Sequence, residues 1–184
     1  ESINQNINLL IIGGSQGAKI FDNIIKSSVI ELSKKYKLKI FQQTSSENFE
    51  DLKFFYLKNN IENELFDFNE DIYSFMKKSN LCITRAGAST LAELIYLNIP
   101  HIAVPLLVSK DNHQFENASF YHNLGCNWII DQKELSSTNL IEKIASINEN
   151  KKEYLQKKKN MENFNYQNTW NDVNQKIITT INEN

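Results

Sequence analysis

Two rhythms of apolar and polar positions alternate along this chain. Ile7 to Ile12 is an unbroken apolar run that stops at Gly13-Gly14, the pattern of a strand buried on both faces. Residues 18–35 then carry Ile20, Phe21, Ile24, Ile25, Val29, Ile30 and Leu32 near helical spacing. Leu38 to Thr44 predicts a second strand, Glu47 to Asn59 a helix with Phe49, Leu52, Phe55 and Tyr56 inward, and Leu65 to Phe68 a third strand. A short helix from Asp71 to Lys78 leads into a strand at Leu81–Thr84 and a helix at Ser89–Leu97. Pro100 stops that helix, and His101 to Pro105 reads as the fifth strand. Asp111 to Leu124 is a helix ended by Gly125, Trp128 to Ile130 a sixth strand, and a further helix opens at Leu135. Residues 151–182 form a Lys- and Asn-rich helical tail, whose polar run at 157–163 reads as a solvated face or hinge.

Strands alternating with helices at this spacing predict an α/β fold, a Rossmann-like, doubly wound parallel sheet of six strands. At 184 residues the chain fits one domain, taken as residues 1–165 with 166–184 as a helical tail of the same domain. With strand order 3-2-1-4-5-6, the switch point falls between the first and fourth strands. Each of these is followed by a glycine corner, Gly13-Gly-Ser-Gln-Gly17 and Arg85-Ala-Gly87, and a third corner at Pro105–Gln114 is next door. Such strand–turn–helix corners point backbone N–H groups at an anion.

Bulk composition narrows the partners. The formal charge of −2 leaves no electrostatic footprint for nucleic acid, and no apolar run approaches the ~18 residues of a membrane span. Two cysteines cannot build a disulfide framework, so Cys82 and Cys126 read as reduced, cytosolic thiols. No signal peptide is present, and the initial Glu1 suggests a piece of a longer chain.

Candidate chemistry gathers at the corners. Ser15 can cap a helix or meet a phosphate, and Gln16 can bond a sugar hydroxyl. A nicotinamide dinucleotide fold needs an acid at the end of the second strand, where this chain has Gln42-Gln43-Thr44. Thr90 and Glu93 stand at capping-box spacing. The alternative sets Glu93 one turn into the helix to accept both hydroxyls of a ribose, with the N–H groups of Ala88 to Leu91 facing a diphosphate. The helix dipole then supplies neutralising charge without a metal. Asp111 and Gln114 also have cap spacing, while functionally Gln114 and Asn117 share a face turned toward a sugar, and His113 can bond a sugar oxygen or phosphate. His101 and His122 read as structural, and the three histidines lack metal-ligand spacing. The only arginine, Arg85, sits where a planar, multi-donor fork would be needed.

Taken together, Gly-Gly-Ser-Gln-Gly-Ala at 13–18, Thr-Arg-Ala-Gly-Ala-Ser-Thr-Leu-Ala-Glu at 84–93, Ile-Pro-x-Ile-x-Val-Pro at 99–105 and Asp-x-His-Gln-x-x-Asn-Ala at 111–118 resemble the MurG family. The match in order and spacing is to the C-terminal, donor-binding half of its GT-B fold. The resemblance implies an inverting transfer of GlcNAc from UDP-GlcNAc to the 4-hydroxyl of lipid I, making lipid II in peptidoglycan synthesis, with no cofactor. It implies substrate contacts at Ser15, Gln16, Asn69 (by its backbone, to uracil), Ala88, Ser89, Thr90, Leu91, Ala92, Glu93 and Gln114. The catalytic base and the surface that docks on the cytoplasmic face of the bacterial inner membrane would belong to an N-terminal half that has no counterpart here. Competing readings are a donor-binding subunit of a two-chain GlcNAc transferase, half of another GT-B enzyme such as a UDP-GlcNAc 2-epimerase, and a ligand-free structural domain.

Overall fold

A computed structural model describes residues 6–13, 18–67, 71–106 and 112–167, with the side chains of 18–21, 166 and 167 left aside. Six parallel strands form one sheet: β1 (Asn6–Ile12), β2 (Lys37–Gln43), β3 (Glu62–Phe66), β4 (Leu81–Thr84), β5 (His101–Ala103) and β6 (Trp128–Ile129). Their order is β3-β2-β1-β4-β5-β6, as the sequence pattern predicts. The helices between and after them are α1 (Ala18–Ser33), α2 (Ser46–Lys58), α3 (Ile72–Lys78), α4 (Ala88–Tyr96), α5 (His113–Asn123), α6 (Ser137–Glu149) and α7 (Lys151–Gln167).

Both faces of the sheet are covered, which is why β1 reads as continuous apolar sequence. Ile7, Leu9 and Ile11 pack with Ile25 and Val29 of α1 and Leu140 and Ile144 of α6. The alternate residues Leu10 and Ile12 pack with Met76 of α3 and Leu94 of α4. A smaller cluster of Ala86, Leu91, Ala103 and Ala118, all fully buried, joins the start of α4 to α5 over β5.

Three helices enter the next strand through one device. After α2, α4 and α5 a left-handed residue, Asn60, Asn98 or Gly125, turns the chain. The following N–H reaches back to close the turn: Ile61 to Tyr56 O, Ile99 to Leu94 O and Cys126 to Tyr121 O. Each turn lies at the sheet edge where strands begin, leaving the opposite edge to the loops that follow them.

Two expectations are corrected. The third strand is Glu62–Phe66, earlier than the Leu65–Phe68 expected. It is an edge strand of mixed polarity whose Glu62 and Glu64 both pair with Lys39 on β2, at 2.8 and 2.9 Å. The 157–163 run is solvated on one side only: Lys159, Glu162 and Asn163 are exposed, while Lys157 and Met161 join Tyr154 in the buried stripe of α7. Lys157 lies 4.7 Å from the Trp128 ring centroid and donates to Asn127 O at 2.9 Å, so its stem is packed and its charge is met.

Candidate functional site

Strand register places the corners. Ile12 pairs with Thr84, and Thr84 pairs with Ala103, so β1, β4 and β5 end level with one another. With neighbouring strands about 4.8 Å apart, the three following loops begin within about 10 Å. Backbone pairing thus brings the starts of the three loops side by side, while residues 14–17 and 107–111 lie outside the described residues. Ser15, Gln16, Asn69 and Asp111 lie outside the described residues.

The start of α4 is the best-defined part of this rim. Its N-cap is Gly87, with φ −66° and ψ 135°, and no side chain caps it. Thr90 is thus the third helical residue, and the Thr90–Glu93 capping box is not formed. Leu91 N–H donates to Gly87 O at 3.0 Å, so of the four donors expected to face a diphosphate it is already engaged. Its side chain is fully buried. The N–H groups of Ala88, Ser89 and Thr90 make no hydrogen bond among the described residues. Ala88, Ser89, Ala92 and Glu93 are exposed and Thr90 half-buried.

Gly87 keeps those donors approachable. An added Cβ there would meet only Thr90 Oγ1, at 4.0 Å, and the backbone angles suit any residue. The fold does not demand glycine at this point, but a side chain would stand over the helix entrance. The Glu93 carboxylate makes no hydrogen bond or ion pair among the described residues, while its backbone O accepts from Leu97 N–H at 2.9 Å. It lies four residues after Ser89, and helical side chains lean toward the N-terminus, so its carboxylate is carried back to the open end.

The turn before α4 is held from behind. Arg85 is buried, and its Nη1 donates to Val104 O at 3.1 Å and to Gln132 Oε1 at 2.7 Å, bridging the ends of β5 and β6. Burial lowers its pKa from the ordinary arginine value. The lone arginine is therefore a brace, and its acceptor Gln132 carried no signal in the sequence. Asn117 Nδ2 donates to Ala86 O at 3.1 Å, so the group expected to face a sugar is engaged by the turn.

The third corner is partly described. Asn112, with φ 57°, precedes α5 and makes no side-chain cap. Gln114 does not close a capping box either, because its Oε1 accepts from Leu106 N–H at 3.0 Å. Its Nε2 makes no hydrogen bond among the described residues. His113 is exposed beside it. His101 and His122 are structural as expected: His101 is fully buried with Nδ1 3.0 Å from Ile99 O, and His122 Nδ1 is 3.2 Å from Asn127 O. Cys82 and Cys126 are both free and buried, and burial raises both thiol pKa values. Among the described residues no three His, Cys, Asp or Glu side chains gather as a metal site, and no helix is long and apolar enough to cross a membrane.

The family model described as "Glycosyltransferase family 28 C-terminal domain" matches residues 8–173. The chain is 62% identical over 178 residues to a Pelagibacter ubique (strain HTCC1062) protein named UDP-N-acetylglucosamine–N-acetylmuramyl-(pentapeptide) pyrophosphoryl-undecaprenol N-acetylglucosamine transferase, covering 97% of this chain and 50% of that one. A Rickettsia canadensis (strain McKiel) protein of the same name is 39% identical over 147 residues, covering 78% and 42%. The crystal structure of Acinetobacter baumannii MurG superposes with a TM-score of 0.74 at 26% identity, over 85% of this chain and 45% of that one. The chain spans about half the length of the curated relatives it matches.

Proposed function

The chain belongs to the glycosyltransferase family 28 C-terminal domain family, and from that premise we propose that it binds the UDP-GlcNAc donor of an inverting N-acetylglucosaminyltransferase. The observation that carries the reading is the start of α4: three N–H groups and the Glu93 carboxylate, all without a partner among the described residues, beside a bare glycine cap. The diphosphate sits against the N–H groups of Ala88, Ser89 and Thr90. The helix end supplies roughly half a positive charge there. Glu93 accepts from the two ribose hydroxyls, and Gln114 Nε2 donates to the sugar. Ser15 and Gln16 belong to the phosphate and sugar contacts, and the backbone at Asn69 to the uracil.

As an acceptor hydroxyl attacks the anomeric carbon from the face opposite the UDP, the bond to the diphosphate breaks and charge grows on its β-phosphate. Preorganised N–H donors at that place stabilise the departing group more than the intact donor. The identity to the transferase relatives supports lipid I as the acceptor and lipid II as the product. Acceptor binding, the base that takes the hydroxyl proton and docking on the cytoplasmic face of the inner membrane are assigned to the other half of the enzyme.

Calorimetric titration tests this. The chain binds UDP and UDP-GlcNAc, and Glu93→Ala weakens both by about tenfold or more, the worth of hydrogen bonds to a charged group. Equal UDP binding by the variant and the parent would remove Glu93 from the site.

A further inference from the structure

A helix start usually secures itself with a capping side chain, worth about 1 kcal/mol. α4 has none, since Gly87 carries no side chain and Thr90 lies too far along to serve. Its open N–H groups are what the donor reading requires, so the fastening has to come from behind. The residue before the cap is Ala86, and its carbonyl oxygen accepts from Asn117 Nδ2 at 3.1 Å. Asn117 lies on α5, three residues after Gln114, on the same face of the helix. Gln114 Oε1 in turn accepts from Leu106 N–H. One short stretch of α5 therefore grips the loops after β4 and β5. Ala86 and Ala118 are fully buried where α5 meets the turn, and their small side chains allow that close approach.

We propose that Asn117 is a positioning residue: it fixes the turn ahead of α4 against α5, so that the diphosphate-facing amides of Ala88–Thr90 and the sugar-facing amide of Gln114 keep one spacing. The proposal rests on the donor-site reading and adds a residue to it that touches no part of the donor. Gln114 carries the sugar end of the coupling, Ala86 the phosphate end. Breaking the Asn117 bond loosens both.

Asn117→Leu keeps the side-chain shape and removes the donor without adding charge. In the ligand-free chain, amide exchange at Leu91, whose N–H closes the first turn of α4 on Gly87 O, rises at least about tenfold, while exchange at Leu10 and Ile83 in the central strands is unchanged. In titrations, Asn117→Leu weakens UDP about tenfold and also shrinks the extra affinity for UDP-GlcNAc over UDP. Gln114→Ala loses that extra affinity alone, and the double variant loses no more of it than Gln114→Ala. Asn117→Asp, equally lacking the donor, repeats the exchange result. Unchanged UDP binding with only the sugar increment lost would make Asn117 a direct sugar contact and overturn the proposal. Faster exchange throughout the strands would reduce Asn117 to general packing and overturn it equally. A parent chain blind to UDP would end the donor reading, while exchange at Leu91 still decides the brace.

Discussion

At the scale of single residues, the site is defined by what its side chains leave undone. Gly87 offers no cap, the Glu93 carboxylate finds no partner among the described residues, and neither do the N–H groups of Ala88 and Ser89. His101 is the opposite case, a group whose burial constrains the whole chain. Desolvation, with Lys157 adding to it, lowers its pKa from 6.5 to about 4. Between those values the unfolded chain binds a proton that the folded chain refuses, so stability rises with pH and is lost as pH falls from 6.5 toward about 4. The full contribution is about 3 kcal/mol at 1.36 kcal/mol per unit. Urea denaturation across that window gives a steeper loss for the parent than for His101→Leu. Parallel curves for the two would contradict the assignment.

At the scale of elements, the turns that return each helix to the sheet differ in how much they tolerate. Gly125 has φ +70°, and an added Cβ would collide with the Asn160 amide that donates to Gly125 O. Gly125→Ala is expected to cost about 2 kcal/mol, or ~4–8 °C in Tm for a chain of this size. Asn60 holds φ 53° with an exposed side chain. Asn60→Gly should leave Tm level or raise it, as a thermal melt of each variant reads directly. The glycine stop was legible because the residue type announces the conformation. β1 was legible as well, since burial on both faces writes an unbroken apolar run. The polar β3 was displaced because Lys39 satisfies its acids across the strand pair, a partnership no local pattern reveals. Lys157 was misread because a lysine stem on a Trp face looks, in sequence, like any solvated charge. Gln114 and Asn117 were visible as a helical face, but which loop each one grips depends on register between elements far apart in the chain.

At the scale of the whole molecule, function follows from strand order. A parallel sheet ordered β3-β2-β1-β4-β5-β6 sends the following loops off one edge, and the level ends of β1, β4 and β5 start three of them side by side. The chain spans about half the length of its relatives. Alone, it is expected to bind donor without transferring sugar, as an assay of UDP release with lipid I would record. If the open end of α4 receives the diphosphate, an amide-resolved NMR titration of the chain with UDP shifts Ala88, Ser89 and Thr90 the most. Shifts concentrated at the opposite sheet edge, around Asn80 and Asn98, with Ala88–Thr90 unmoved, would contradict it.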